Sequence, residues 1–147
     1  MATQDNSKIV RDIFESFNRR DFDSMQKSVD KACEILVVPR EQTFKGPDGV
    51  KQFLQNRINV APDSKIEVKN IVSGEDSVTV EYIIKGKHDG TLHLPSGGDL
   101  GKTGKPVNLR FCDIITIRDQ KITRWNTYYD LATLLNQVGA LHEMVHH

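Results

Sequence analysis

Apolar residues recur at helical spacing through the first sixty positions and at alternating spacing after them. Ile9, Val10, Ile13, Phe14 and Phe17 form one stripe and predict a helix over residues 7–18. Arg19-Arg20-Asp21 ends it, and Asp21 is placed to cap a short second helix carrying Phe22, Met25 and Val29. Residues 34–38 are an apolar run stopped by Pro39, a strand or strand-like turn. Gly46-Pro47-Asp48-Gly49 opens a third helix with Val50, Phe53, Leu54 and Ile58 on one side, ending before Ala61-Pro62-Asp63. From Lys65 the period is two. Ile66, Val68 and Ile71 mark one strand, and Val78, Val80, Tyr82 and Ile84 the next. Residues 107–117 and 121–129 are two more strands, and a helix over 131–141 closes the pattern. Between them, residues 86–106 are rich in glycine and contain His88 and His93, which reads as a strand edge plus a long flexible loop of the kind that serves as a lid or binding loop. Helices followed by a run of antiparallel strands make an α+β fold.

The chemistry begins with Asp113, a carboxylate inside a run otherwise built for burial. A buried acid is costly unless it is paired or neutral, and environments that shift carboxyl pKa values are where acid/base chemistry is found. Its neighbours depend on the register of the hairpin turning at Arg118-Asp119-Gln120-Lys121. A two-residue loop pairs Ile117 with Ile122 and sets Asp113 beside Asn126. A three-residue loop with a bulge pairs Ile117 with Lys121 and sets Asp113 beside Trp125. In the second case Phe111, Asp113 and Ile115 share a face with Trp125, Thr127 and Tyr129: aromatic walls, one hydroxyl and one carboxyl. A slip of one residue moves every side chain to the other face. Two readings of Asp113 stay open, a pocket acid or a carboxylate satisfied by Asn126 or Arg110.

Composition narrows the classes of function. The chain has 147 residues with 20 Lys plus Arg and 20 Asp plus Glu, a formal net charge of zero. That balance gives no electrostatic reason to expect a nucleic acid or an anionic membrane as partner. No run of about 18 apolar residues is present, so no membrane span is expected. The polar start lacks the apolar core of a signal peptide, which sets the expectation of a cytoplasmic protein. Cys33 and Cys112 lie far apart, match no metal spacing, and read as small buried hydrophobes. A single domain over residues 5–141 with a tail over 142–147 is expected. In that tail His142-Glu143-Met144-Val145-His146 spells the H-E-x-x-H zinc signature. A chain end frays and no third ligand follows, so neither a catalytic metal nor any other cofactor is expected.

The Asn18-x-x-Asp21-Phe22 turn, the Gly46-x-x-Gly49-Val50 helix and the closing hairpin together resemble the nuclear-transport-factor-2-like (cystatin-like) cone, from about Ile9 to Leu141. The resemblance implies a cone-shaped, curved antiparallel sheet with N-terminal helices covering an internal pocket, and a homodimer. Within that superfamily the chain is most similar to SnoaL-like polyketide cyclases and ester-cyclase relatives. The residues that carry this are Gly86-Lys87-His88-Asp89-Gly90, Thr103-Gly104-Lys105-Pro106-Val107, the Asp113 strand, and Asp130-x-x-x-Leu134-Leu135-x-Gln137-Val138-Gly139. The resemblance favours the bulged hairpin register. It implies Asp130 as general acid/base, His88 as a pocket histidine, and Asp113 in the place of the neutral carboxyl of a ketosteroid-isomerase oxyanion hole. Departures subtract other activities. The tyrosine and base aspartate of ketosteroid isomerases fall near Ile13 and Val37, and the aspartate of limonene epoxide hydrolases falls at Thr127. The interval from Trp125 to Asp130 is one residue longer than in the cyclases, which sets Asp130 out of phase with Trp125, Thr127 and Tyr129 unless a bulge restores it.

Two functions are consistent with these residues. One is a cofactor-free cyclase- or isomerase-type enzyme on a small hydrophobic carbonyl compound, with Asp130, Asp113 and His88 catalytic and Trp125, Tyr129, Thr127, Phe111 and Tyr82 lining the site. The other is a carrier of a small hydrophobic molecule that performs no chemistry. Asp130 has a competing role as the N-cap of the last helix, and the aromatic residues a competing role as plain core. A dimer contact would use the outer face of Arg110, Cys112, Ile114 and Thr116.

Overall fold

The computed structural model describes residues 2–142. Helix α1 runs Ala2–Arg19, α2 Phe22–Gln26, α3 Gly46–Val60 and α4 Leu131–Gln137. The strands are β1 Val29–Val37, β2 Gln42–Lys45, β3 Lys65–Ser73, β4 Ser77–Lys87, β5 Leu92–His93, β6 Asp99–Leu100, β7 Pro106–Arg118 and β8 Lys121–Tyr129. Six of them form one sheet in the order β2-β1-β8-β7-β4-β3. All its pairs are antiparallel except β1 with β8. Register breaks in β1, β3 and β8 give the strands the local bends that curve a sheet.

The alternating pattern decides which face is covered. Leu109, Phe111, Asp113, Ile115 and Ile117 of β7 are buried, while Arg110 and Ile114 between them are exposed and Cys112 and Thr116 half-buried. The buried face packs against Val10, Ile13, Phe14 and Phe17 of α1 and Val50, Phe53 and Leu54 of α3 in one core. Trp125 sits at its centre with the Phe14 ring 6.2 Å and the Phe53 ring 5.4 Å away. Residues Arg110, Cys112, Ile114 and Thr116 therefore stand on the face turned away from the helices.

Several family-like motifs prove to be clamps on the backbone. Asn18 accepts from the Ile66 amide and donates to its carbonyl, fastening the end of α1 to β3. Asp21 caps α2 by accepting from the Ser24 amide. Gln137 spans both backbone groups of Asn108, docking α4 on β7. Gly139, at φ +79, lets α4 end in a Schellman turn, with Ala140 N donating to Leu135 O and Gly139 N to Asn136 O. That turn stops the helix at Gln137 rather than at residue 141 as the sequence pattern predicts. Gly90 packs so closely on the end of α3 that a Cβ would lie 1.7 Å from the Asn59 carbonyl oxygen.

Elsewhere the structure differs from the sequence expectation for identifiable reasons. Val29 falls at helical spacing from Met25, yet α2 ends at Gln26 and Val29 begins β1. The irregularity between Val29 and Glu34 breaks the alternation that would have revealed a nine-residue strand. Strand β2 sits at the sheet edge with Phe44 as its one apolar residue, too little for a period. Residues 86–106 are not a bare loop: β5 and β6 pair within them, and Leu92 is buried in the core.

The closing hairpin follows neither register drawn from the sequence. Its turn is the two-residue kind, with Arg118 opposite Lys121 and Ile117 opposite Ile122. Asp119 and Gln120 both take positive φ, as a type I′ turn requires. An extra residue then enters β8 before Arg124, so Thr116 pairs with Arg124 and Asp113 with Thr127. The shift has the same parity as the bulged alternative, so the same side chains share the covered face.

Two substitutions probe this backbone by urea unfolding. Gln120→Gly is expected to stabilise by about 1 kcal/mol, because glycine carries no penalty in the left-handed region. Gly90→Ala is expected to destabilise by about 2 kcal/mol or more, through overpacking on Asn59.

Candidate active site

The covered face of β4, β7 and β8 brings Tyr82, Asp113, Trp125 and Thr127 together in the core. Asp113 is fully buried and accepts three hydrogen bonds: from Tyr82 Oη at 2.6 Å, from Trp125 Nε1 at 2.9 Å, and from Thr127 Oγ1. Helix α3 adds Arg57, whose Nη1 donates to Tyr82 Oη at 2.8 Å and Nη2 to Thr127 Oγ1 at 3.0 Å. Guanidinium only donates. Each hydroxyl therefore accepts from Arg57 and spends its proton on Asp113, an arrangement that suits the ionised carboxylate. Burial pushes the Asp113 carboxyl up, while the Arg57 charge and the three donors pull it down; the net direction is upward. Burial also raises Tyr82 well above its ordinary value.

Arg57 is only half-buried, and its other side faces a cavity of about 160 Å³. The guanidinium carbon lies 4.5 Å from the ring centre of Phe53 and 4.5 Å from that of Phe111. Val37, Phe44, Ile84, Val107, Leu109 and Leu134 supply apolar wall, and Thr91, Leu92 and His93 of the β5 segment border it. Arg40, Gln42, Asn56, Asn59, Val60, Ala61 and Tyr129 complete the lining, and among the described residues no aspartate or glutamate belongs to it. Arg40 Nε donates to Tyr129 Oη at 3.1 Å. His93 Nδ1 lies 2.6 Å from Asp99 Oδ1, across the β5–β6 pair. A cavity of this volume is comparable with apolar cavities that accept a benzene-sized ring.

The structure does not bring Asp113, Asp130 and His88 together at this cavity. Asp113 lies beneath it, shielded by the groups it bonds, and touches donors only, so a neutral carboxyl donating to a bound oxygen does not match this geometry. Its partners are also not Asn126 or Arg110. Asp130 is exposed and caps α4, accepting from the amide and hydroxyl of Thr133, which hold its carboxyl below the ordinary range. The strand runs inward at Trp125, Thr127 and Tyr129, and no further bulge reverses the phase for Asp130. His88 is buried at the end of β4, sharing a hydrogen bond with Thr103 Oγ1, and burial pulls its pKa down. Of the five expected wall residues, Phe111 and Tyr129 line the cavity, whereas Trp125, Thr127 and Tyr82 surround Asp113. Cys33 is buried with its thiol pushed up to about 12, and Cys112 is half-buried on the outer face.

Arg57 and Arg40 are the residues that sequence reasoning missed. Arg57 had a signal: it lies four residues after Phe53 and seven after Val50, on the buried stripe of α3, where an arginine is out of place. Arg40 follows Pro39 in a short 3-10 turn, and nothing in the pattern marks it. The H-E-x-x-H tail lies outside the described residues apart from His142. Among the described residues no cluster of His, Cys, Asp and Glu could hold a metal ion, and no helix is long and apolar enough to cross a membrane.

The curved sheet with helices over one face is the nuclear-transport-factor-2-like, ketosteroid-isomerase-like fold. A proposed SnoaL-like polyketide cyclase from Jannaschia sp. CCS1 superposes with a TM-score of 0.82 at 17% identity, covering 95% of this chain and 94% of that one. IdmH, a proposed polyketide cyclase from Streptomyces antibioticus, gives 0.76 at 21% identity over 91% and 98%. A protein with a ketosteroid-isomerase-like fold from Catenulispora acidiphila, solved with trimethylamine, gives 0.73 at 15% identity over 89% and 92%. The sequence profile of SnoaL-like polyketide cyclases matches residues 8–138, and the chain belongs to that family. No curated protein matches it.

The two aspartates are expected to titrate on opposite sides of 3.8, read by carboxyl NMR with Asp→Asn variants for assignment. Asp113 goes above, because burial weakens its ionised form relative to the unfolded chain by more than its donors and Arg57 strengthen it; its contribution to stability is full below the unfolded value and is lost as pH rises through the raised one. Asp130 goes below, and its contribution is lost as pH falls through its lowered value. Asp113→Asn at pH 7 is expected to cost about 3 kcal/mol, because donors would face an amide and Arg57 would lose its buried counter-charge.

Proposed function

We propose that the protein is a cofactor-free enzyme that stabilises the enolate of a small, largely apolar carbonyl compound, leading to cyclisation or isomerisation. The observation that carries this is the fixed cation in the cavity floor. Arg57 is stacked between Phe53 and Phe111 and anchored through Tyr82 and Thr127 to a buried carboxylate. A guanidinium stays charged, and a fixed donor in an apolar site needs no reorganisation when an oxyanion forms. A ketone lying against the aromatic wall would place its oxygen on the free N–H groups of Arg57. Loss of the α-proton then moves negative charge onto that oxygen, and reprotonation or carbon–carbon bond formation completes the reaction. Among the lining side chains His93 is the candidate for the proton transfer, since an imidazole can offer a ring nitrogen as acceptor. With Nδ1 engaged by Asp99, its Nε2 is the nitrogen left for the transfer.

One observation favours the alternative of a binding module that carries its ligand unchanged: Asp113, Asp130 and His88 all lie off the cavity wall. One assay separates the two, deuterium uptake at the α-carbon of propiophenone and benzoylacetone in D2O, followed by NMR. Enzymatic exchange is expected, falling about 100-fold or more in Arg57→Met. Arg57→Lys is expected to recover little of it, since an ammonium cannot bridge two hydroxyls in one plane. Ligand shifts in the protein spectrum with exchange no faster than in buffer would establish the carrier instead.

A further inference from the structure

We infer that the cavity is a site for a monoanionic oxo acid, a small molecule with a carboxylate at one end and a carbonyl at the other, and that Arg40 is the residue that selects the anion. This rests on the reading of Arg57 as the carbonyl-oxygen partner, but anion selection can be measured without any turnover.

The argument is one of charge. Among the described residues the lining holds two arginines and no carboxylate. Arg57 has its counter-charge in Asp113, delivered through two hydroxyls. Arg40 has none: among the described residues it enters no ion pair, and its hydrogen bond goes to the neutral Tyr129 hydroxyl through Nε. The terminal nitrogens of its guanidinium remain for a ligand, and that edge is the fork that matches a carboxylate. One uncompensated cation beside an apolar wall favours a ligand of one negative charge, because the wall lowers the local dielectric and strengthens the attraction.

Placement sets the second half of the inference. Phe111 and Tyr129 face each other across β7 and β8 with ring centres 4.8 Å apart. Arg57 stacks on the first and Arg40 bonds the second. The two cations thus bracket a short aromatic platform, with Val107 and Leu109 of β7 beside it in the wall. A ligand lying along that platform meets Arg57 with one oxygen and Arg40 with a carboxylate, its hydrocarbon part between them.

The test compares 4-oxo-4-phenylbutanoate with its neutral isostere 4-oxo-4-phenylbutanamide by calorimetry and protein NMR, using wild type, Arg40→Met and Arg40→Lys. The expected result is that wild type binds the acid about 10- to 100-fold more tightly than the amide, the range for a charge-assisted hydrogen bond. The preference should collapse toward one in Arg40→Met, survive in part in Arg40→Lys, and shrink with added salt. Equal binding of acid and amide by wild type would overturn the inference, as would an undiminished preference in Arg40→Met or binding of neither compound. Deuterium uptake beside the ketone, read in the same samples, keeps the two ideas apart. Selective binding without exchange supports the anion site and sinks the enolising reading, whereas exchange without acid preference does the reverse.

Discussion

A guanidinium and a carboxylate that do not touch each other organise the centre of this molecule. Arg57 on α3 and Asp113 on β7 are joined through the hydroxyls of Tyr82 on β4 and Thr127 on β8. Four elements of the fold therefore meet in one polar unit inside an aromatic core. Each member depends on the next. Without Arg57 the two hydroxyls lose the donor that orients them, and without Asp113 the cation has no internal balance. Buried networks of this kind stabilise only when every member is satisfied, because a single unpaired group in low dielectric costs more than a good hydrogen bond contributes. The unit also explains why Trp125, a large donor, can lie at the centre of the core: its indole N–H ends on the same carboxylate.

The rest of the fold keeps that unit in place by clamping backbone rather than by adding chemistry. Asn18 on Ile66 and Gln137 on Asn108 fix helices to the sheet, and Gly90 against Asn59 fixes the segment after β4 to the end of α3. Each uses the one residue type its geometry allows: an amide to pair with both groups of a strand, or a glycine where no Cβ fits. Motifs of this sort are visible in a sequence for the same reason that they are structural. They mark the frame, and a frame shared across a family need not share a substrate.

That division explains what could be read from the chain alone. The α+β class and the burial of Asp113 follow from alternation, whereas the covered face of the hairpin follows from the family resemblance that favours the bulged register, whose parity survives an error of two residues. The site did not follow, because two of its main parts break no pattern. Arg40 sits in a turn with no periodicity, and the bulge in β8 that brings Thr127 opposite Asp113 has no glycine to announce it. Gln120 takes the positive φ that glycine would have advertised. Arg57 was legible in principle as a charged residue on an apolar stripe. Asp130 and His88 are residue types suited to acid/base chemistry, but the structure uses them to cap a helix and to anchor residues 88–105.

A satisfied, shielded carboxylate is a poor reagent and a good foundation. Proton transfer requires a group within hydrogen-bond reach of the ligand, and every acceptor position that Asp113 uses is filled by the protein's own donors. What the carboxylate can do from beneath the cavity is hold Arg57 in one orientation and offset its charge. Electrostatic support thereby lies in the core, where change is costly, while Arg40, His93 and Tyr129 of the lining stand on the 3-10 turn, the β5 segment and the end of β8. None of these three side chains hydrogen-bonds to the network below, so substituting them leaves it intact. A fold built this way keeps one preorganised cation and leaves the rest of the site free to vary.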